Sequence, residues 1–384
     1  MKIAICTPFS LQHYSSEIPI NQVQYGGCST PSIEEQVKYF RHCQELEIHV
    51  ISENEKFKDD VICLGNVYIH LLHCPQHFKL PTFYQFESKR IGSCLKDIQP
   101  DIVEAHWTYE YALAAVKSGY PCVIRIHDWM PNEFRISKEI TFILKMFVQK
   151  YVLYKSKYLV GPTPYICQLA RPHTCAKIFV MPPMVFPAYY ELEDQENENV
   201  IFSPAGILKR KNTFTLLQVM ERLKEKCPDA KLYLVDSQKK SSNAYYDKCI
   251  TYIKRMKCNN VVIIPGMLDY GKLASYYASA SVVVHASVEE SFGMVVAEAQ
   301  AAAKPVVVGK NGGIDFIVQN NETGFIVDPF DINAYVDRLC LLLTDRKMRK
   351  EMGDKGRQRT KKLLDSEKIF QDTIQLYRSV IENW

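Results

Sequence analysis

The chain has 384 residues, enough for two domains of ordinary size, and its 47% hydrophobic and 23% charged composition is that of a globular protein. A net charge of only +4 supplies no general field for nucleic acid, so no nucleic-acid partner is expected. Thirteen cysteines lie scattered with no C-x-x-C pair, which reads as reduced thiols used as small buried hydrophobes. A buried-strand pattern begins at Ile3 with no leader before it, and no apolar run reaches the roughly eighteen residues of a spanning helix. A cytoplasmic protein is expected.

Short apolar runs alternate with helical patterns along the whole chain. Strand candidates in the first half are 3–6, 48–51, 67–72, 102–105, 123–127, 158–161 and 178–181. Those in the second half are 200–203, 231–235, 261–264, 281–285, 305–308 and 323–327. Their continuous hydrophobicity points to parallel strands covered on both faces. Helices are predicted over 33–46, 137–155, 212–226, 243–257 and 332–343. Such βαβα order gives an α/β protein of two Rossmann-like, doubly wound parallel-sheet domains, 1–183 and 184–365, with a C-terminal helix at 366–384. Ile369, Phe370, Thr373, Leu376, Tyr377 and Val380 fall at helical spacing in that last run, which is expected to pack back on the first domain.

The densest chemistry lies in 281–313. A buried strand leads into a loop with adjacent carboxylates, Glu289 and Glu290, which passes through Phe292 and Gly293 into an Ala-rich helix containing Glu298. A helix opening at glycine offers free amides to an anion. Glu298 sits among Val295, Val296, Ala297, Ala299 and Ala301, where a carboxylate needs a partner. Acids on both sides of such a helix start suit a sugar nucleotide, with amides for the diphosphate and carboxylates for hydroxyls. Upstream, Lys209, Arg210 and Lys211 bring three cations to another helix start, a further place for phosphate. A solvated basic turn is the plainer reading of those three.

In the first half, His127 stands at the end of a strand in VIRIHDWMP, and a second strand ends in His106, Trp107, Thr108, Tyr109 and Glu110. Polar and aromatic groups at that edge suit a hydroxylated acceptor. Tyr25-Gly26-Gly27 precedes the first predicted helix, where glycines admit close approach to a ligand. The stretch 138–157, rich in aromatics and lysines, and the basic run 346–362 leave peripheral contact at the inner face of a membrane open. A core helix with a lysine edge and a solvated surface helix are the simpler readings.

Gly26-Gly27, PDIVEAHWTYEYALAA at 100–115, HDWMP at His127, the RKN turn and EESFGMVVAEA at 289–299 together resemble the retaining glycosyltransferases of family 4, which have the GT-B architecture of two Rossmann-like domains facing a cleft. The resemblance spans essentially the whole chain. It implies that Glu298 binds the ribose hydroxyls and that Glu290 lies at the donor sugar. It places the amides of Phe292, Gly293, Met294 and Val295 near the sugar hydroxyls and phosphates. It gives the leaving diphosphate to Lys211 and Arg210, brings Gly27 close to it, and sets His127 against the transferred sugar. His106, Trp107 and Glu110 are the acceptor-side candidates.

No metal and no cofactor are expected, since the chain has no Asp-x-Asp pair and the donor sugar nucleotide is a substrate. The implied activity is metal-independent, retaining transfer of a hexose from a nucleoside diphosphate sugar, with UDP the favoured nucleotide, to a saccharide or lipid-linked acceptor. A nucleotide-sugar 2-epimerase of the same fold and a non-catalytic sugar-nucleotide binder are the alternatives. The chain departs from the family in two places. Gly206 stands where relatives commonly carry an Arg before the lysine of the phosphate turn, and Asp236-Ser237-Gln238 replaces a glycine-rich turn.

Overall fold

The Ile- and Val-rich runs form strands because alternate side chains enter two separate cores. In a computed structural model of the chain, Ile3 and Ile5 of the first strand join one apolar cluster while Ala4 and Cys6 join another on the opposite face of the sheet. Val282 and Val284 divide from Val283 in the same way. A strand covered on both faces admits a polar side chain between its ends only where partners satisfy it. The structure describes all residues except 12, 13, 15, 16, 18–30, 76–78, 237–243, 256–259, 267 and 269.

The first compact unit comprises Met1–Met184 together with Ser366–Trp384, and the second Val185–Asp365. Eight strands of the first unit are β1 (Lys2–Cys6), β2 (Glu47–Asn54), β3 (Asp60–Leu64), β4 (Val67–His73), β5 (Ile102–His106), β6 (Cys122–Arg125), β7 (Tyr158–Gly161) and β8 (Lys177–Val180). Their order is β3-β4-β2-β1-β5-β6-β7-β8. All neighbours pair in parallel except β3, which pairs antiparallel with β4. The second unit contains β9 (Val200–Ser203), β10 (Lys231–Asp236), β11 (Val261–Pro265), β12 (Val282–His285), β13 (Val306–Gly309) and β14 (Gly324–Val327). Its order, β11-β10-β9-β12-β13-β14, is that of a doubly wound dinucleotide-type sheet.

Several elements depart from the sequence reading, among them the unpredicted helices Gln85–Ile98, Glu110–Ser118, Pro164–Ala170 and Tyr270–Ser279. The predicted helix over 137–155 is Ile140–Lys155, and a further unpredicted helix, Met130–Ser137, precedes it and ends at Lys138, which takes the left-handed conformation with φ of 63°. The edge strand β3 was not expected. Its DVICL sequence is largely exposed, with only Ile62 and Leu64 buried, so it lacks a continuous apolar run.

The helix Ser366–Glu382 belongs to the first unit. Ile369, Phe370, Ile374, Leu376, Tyr377 and Val380 enter the same core as Ile3 and Ile5. The helix Arg346–Leu363 is not merely a solvated surface helix, because Arg349, Met352, Gly353, Gly356 and Thr360 are buried beneath it.

Candidate active site

Strands β9 and β12 lie side by side in parallel, so the loops that follow them leave the sheet at the same edge. The first loop supplies Arg210 and Lys211, and the second Glu289 and Glu290. Backbone bonds lock the two together: the Val288 amide and the Ser287 hydroxyl both donate to the Arg210 carbonyl, at 3.0 and 3.1 Å. Arg210 Nη1 donates to the Glu289 carbonyl at 2.9 Å.

Glu290 is the hub of this edge. Its Oε1 accepts from Lys211 Nζ, lies 2.9 Å from His285 Nε2, and lies 3.4 Å from Arg210 Nη1. Burial favours the neutral acid, but the charges of Lys211 and Arg210 and the bond to His285 outweigh it and hold the carboxyl well below its usual range. Burial lowers the His285 pKa against the pull of Glu290, so the imidazole is neutral and its Nε2–H faces the carboxylate. The loop closes on Gly313, whose amide donates to the Glu290 carbonyl at 3.0 Å. A Cβ at Gly313 would stand 2.5 Å from that carbonyl oxygen, so the close approach requires glycine.

Gly293, at φ of 101°, precedes the helix Met294–Ala301 and gives it no side-chain cap. Its carbonyl receives the amides of Val296 and Ala297, leaving Met294 and Val295 in the first turn, where amides have no intrahelical partner. The Phe292 side chain is a core group, buried in the same cluster as Val296 and Ile314. Glu298 lies farther along the helix, buried, and accepts from the Tyr277 hydroxyl at 2.8 Å. Burial pushes its carboxyl up to about 7, against the bond from Tyr277.

The departure at Gly206 has a local cause. This residue takes φ of 77° in the turn after β9, and its carbonyl accepts from Thr213 Oγ1 at 3.0 Å. A side chain would be strained there, and the positive charge of this turn rests on Lys209, Arg210 and Lys211. Asp236 ends β10 and accepts from the Tyr246 hydroxyl at 2.7 Å. Gly26, Gly27, Ser237 and Gln238 lie outside the described residues.

In the first unit, β5 and β6 deliver a chain of polar groups to their common C-terminal edge. His106 Nδ1 stands 2.8 Å from His127 Nε2, and His106 Nε2 stands 2.9 Å from Glu104 Oε1. The Trp107 ring centroid is 4.6 Å from that of His127, and Trp107 adopts a left-handed φ of 63°, a strained conformation for a bulky residue. Glu110 does not join this chain. It pairs at 3.4 Å with Lys79, which also bridges to Glu53.

The structure thus brings Arg210, Lys211 and Glu290 into direct contact, and His106, Trp107 and His127 into a second group, while Glu298 binds Tyr277 instead of either. His285, Glu104, Arg125, Tyr277 and Tyr377 were not anticipated as site residues. Glu104, Arg125 and His285 left a sequence signal: each is a polar residue in a largely apolar strand, and Glu104 shares a strand face with His106 two positions on.

Two α/β units built on largely parallel sheets are the architecture of the GT-B glycosyltransferases. Residues 191–359 match the model of the glycosyl transferases group 1, and residues 33–161 match a glycosyl transferase 4-like model. The chain belongs to this group 1, family 4-like class of glycosyltransferases. It is 25% identical over 352 residues to an N-acetyl-alpha-D-glucosaminyl L-malate synthase of Bacillus anthracis, spanning 88% of this chain and 90% of the relative. It is also 25% identical over 349 residues to a trehalose synthase of Pyrococcus horikoshii, spanning 85% of this chain and 72% of the relative. Among solved structures it resembles the sucrose-phosphate synthase of Thermosynechococcus elongatus, with a TM-score of 0.81 at 19% identity over the full length of both chains. A similar fold is found in Anabaena HepE in complex with UDP-glucose, with a TM-score of 0.73 at 15% identity over 99% of this chain and all of the other.

Proposed function

We propose that the protein transfers a hexose from a nucleoside diphosphate sugar, with UDP the favoured nucleotide, to a saccharide or lipid-linked hydroxyl, retaining the anomeric configuration and using no metal. The observation that carries this reading is the ionised Glu290 held by Lys211, Arg210 and His285, three residues before the uncapped helix start at Gly293. That arrangement offers amides and cations to a diphosphate and a fixed acceptor to sugar hydroxyls.

In the reaction the bond from the sugar anomeric carbon to the phosphate oxygen breaks, and one forms from that carbon to the acceptor oxygen. The acceptor proton passes to the leaving phosphate on the same face. Lys211, Arg210 and the first-turn amides take up the charge that grows on the diphosphate, a role for preorganised donors. Glu290 holds the hexose, Glu298 the ribose hydroxyls, and His127 the transferred sugar. The close approach of Gly27 to the diphosphate and the acceptor-side roles of His106, Trp107 and Glu110 rest on the family resemblance.

The test is a thermal-shift and hydrolysis screen across UDP-, GDP- and ADP-hexoses. A UDP-hexose should stabilise the protein and be turned over. Binding without hydrolysis or transfer would favour the non-catalytic alternative, and interconversion of UDP-N-acetylhexosamines without an acceptor would favour the epimerase.

A second observation favours an acceptor presented at a membrane. The helix Ile140–Lys155 leaves Ile140, Phe147, Tyr151 and Tyr154 exposed, with Lys138, Lys150, Lys155 and Lys157 exposed around them. Trp129, Pro131, Ile143, Met146, Phe147 and Leu153 line an apolar cavity of about 270 Å³ beside it. No helix among the described residues is long and apolar enough to cross a membrane. Apolar side chains ringed by lysines suit the surface of an anionic bilayer. Co-sedimentation with anionic but not zwitterionic vesicles, lost in Phe147→Ser with Tyr154→Ser, is the expected result. Equal recovery with both vesicle types would overturn it.

A further inference from the structure

Glu104 stands in the middle of the first unit with its side chain fully buried and four donors around it. Arg125 Nε reaches Oε2 at 2.7 Å, and the Tyr377 hydroxyl donates to the same oxygen. Gln36 Nε2 reaches Oε1 at 2.7 Å, and His106 Nε2 lies 2.9 Å from it. Burial alone would protonate this carboxyl, but the Arg125 charge and the His106 bond keep it well below its usual range. An ionised carboxylate can only accept.

The rest follows by proton counting. His106 must carry its proton on Nε2 to face Glu104. Burial holds His106 and His127 to low pKa values, so each ring has one proton and one lone pair. His106 Nδ1 is therefore an acceptor, and the group 2.8 Å away, His127 Nε2, must be the donor. What remains on His127 is an unprotonated Nδ1, which has no partner among the described residues, on a side chain that is half-buried at the strand edge.

We infer that Glu104 is a positioning residue that sets the tautomer of His127 through His106, so that His127 Nδ1 receives a hydrogen bond from a ligand hydroxyl. A phosphate, carbonyl or carboxylate oxygen cannot fill that place, because it has no proton to give. The ligand's identity as a sugar hydroxyl rests on the proposed transferase reading, whereas the direction of the relay does not.

The isosteric variant Glu104→Gln reverses the relay. Arg125 and Tyr377 both donate to the Oε2 position, so they draw the new amide's oxygen there and leave its NH₂ against His106 and Gln36, whose amide turns over to present its oxygen. His106 Nε2 must then accept, its Nδ1 must donate, and His127 Nδ1 becomes protonated. An acid-to-amide change behind a catalytic histidine acts in this way in serine proteases, where the wrong tautomer costs about 10⁴ in kcat. His106→Gln has the opposite effect: its NH₂ can still donate to Glu104 and its oxygen can still accept from His127.

Long-range ¹⁵N spectra of histidine-labelled protein read the tautomers directly, without substrate. Wild type should show His106 and His127 as Nε2–H, and Glu104→Gln should show both as Nδ1–H wherever His106 and His127 signals persist. Turnover of the donor should fall about 10²-fold or more in Glu104→Gln, within the range for misplaced proton donors and acceptors, and by less in His106→Gln. Replacing one sugar hydroxyl of the donor by fluorine, which accepts but does not donate, should cost about tenfold or more in wild type and little in Glu104→Gln.

An Nδ1–H tautomer at His127 in wild type overturns the relay. So do unchanged tautomers in a Glu104→Gln protein that melts like wild type. Should Glu104→Gln fail to fold, a His127 in the Nδ1–H form in His106→Gln would overturn it as well. Tautomers as stated, with no hexose donor hydrolysed or transferred by wild type, would uphold the relay and remove the transferase reading instead.

Discussion

Lys211 and Glu290 form an ion pair across 79 positions of sequence, each largely withdrawn from solvent, because adjacent strands β9 and β12 end at the same height. The pair makes the second unit's basic turn and its acidic loop a single piece. A lysine so placed is already oriented before any diphosphate arrives, and the carboxylate is already ionised.

Lys211→Ala should therefore damage both binding and folding. It leaves a buried carboxylate with only Arg210 and His285, and removing one partner of a buried pair typically costs about 3 kcal/mol or more. Urea melts should show a loss of about that size, and donor turnover should fall about 10²-fold or more with the lost electrostatic stabilisation. Wild-type donor hydrolysis by a correctly folded Lys211→Ala protein would remove Lys211 from the site.

If Glu298 holds the ribose as proposed, donor affinity should depend on pH. Its folded carboxyl titrates near 7, above its unfolded value of 4.5, so between these values the native state holds the extra proton. The stability from that proton is present below 4.5 and is lost as pH rises through about 7. A ribose hydroxyl donates to the ionised form, so donor affinity should move the other way, strengthening as pH rises through 7. Calorimetric titration on either side of neutrality reads this directly. Glu298→Gln should bind weakly with a flat profile, and a flat profile in wild type would separate Glu298 from the ribose.

Tyr277→Phe deletes the one hydrogen bond that lowers the Glu298 pKa. The carboxyl should titrate higher still, moving the rise in donor affinity to more alkaline pH. Affinity at neutral pH should fall while affinity at high pH recovers towards wild type. An unshifted profile would mean that Tyr277 packs against Glu298 without tuning it.

Gly313→Ala tests the acidic loop without touching a charge. The added Cβ would lie 2.5 Å from the Glu290 carbonyl oxygen and 2.6 Å from the Ser291 carbonyl, both backbone, so the loop itself must yield. We expect KM for the donor to rise at least about tenfold, since roughly 1.4 kcal/mol of misplacement suffices for that. A variant with wild-type KM would show that the Glu290 loop does not contact the donor.

Turnover should survive chelation. With Lys211 and Arg210 supplying positive charge, activity in excess EDTA should match that in added Mn²⁺ or Mg²⁺. Complete loss in EDTA, restored by a divalent ion, would overturn the metal-free reading.

Much of the scaffold was legible because a parallel strand buried on both faces is a continuous apolar run, as in Val282–His285 and Val306–Gly309. The edge strand Asp60–Leu64 escaped because it has no such run, and the helix Met130–Ser137 escaped because only Met130 of it is buried, which leaves no apolar stripe to read. Glu290, Lys211 and Glu298 could be picked out because they interrupt apolar or glycine-bearing turns within a few residues. Their partners could not. Tyr277 lies 21 positions from Glu298, and Tyr377 lies 273 positions from Glu104, so nothing local records that they meet. The tautomer of His127 is still farther from the sequence, since it depends on two hydrogen bonds in series and on the charge of a third residue.

The return of the last helix to the first unit has a consequence for synthesis. Tyr377 donates to Glu104, and Thr373 accepts from Arg125 at 3.3 Å, so the support beneath His106 comes from residues translated after the whole second unit. The second unit is translated in full before the first can be completed. A nascent or C-terminally clipped chain would have every residue of the histidine pair and lack the part that orders its protons.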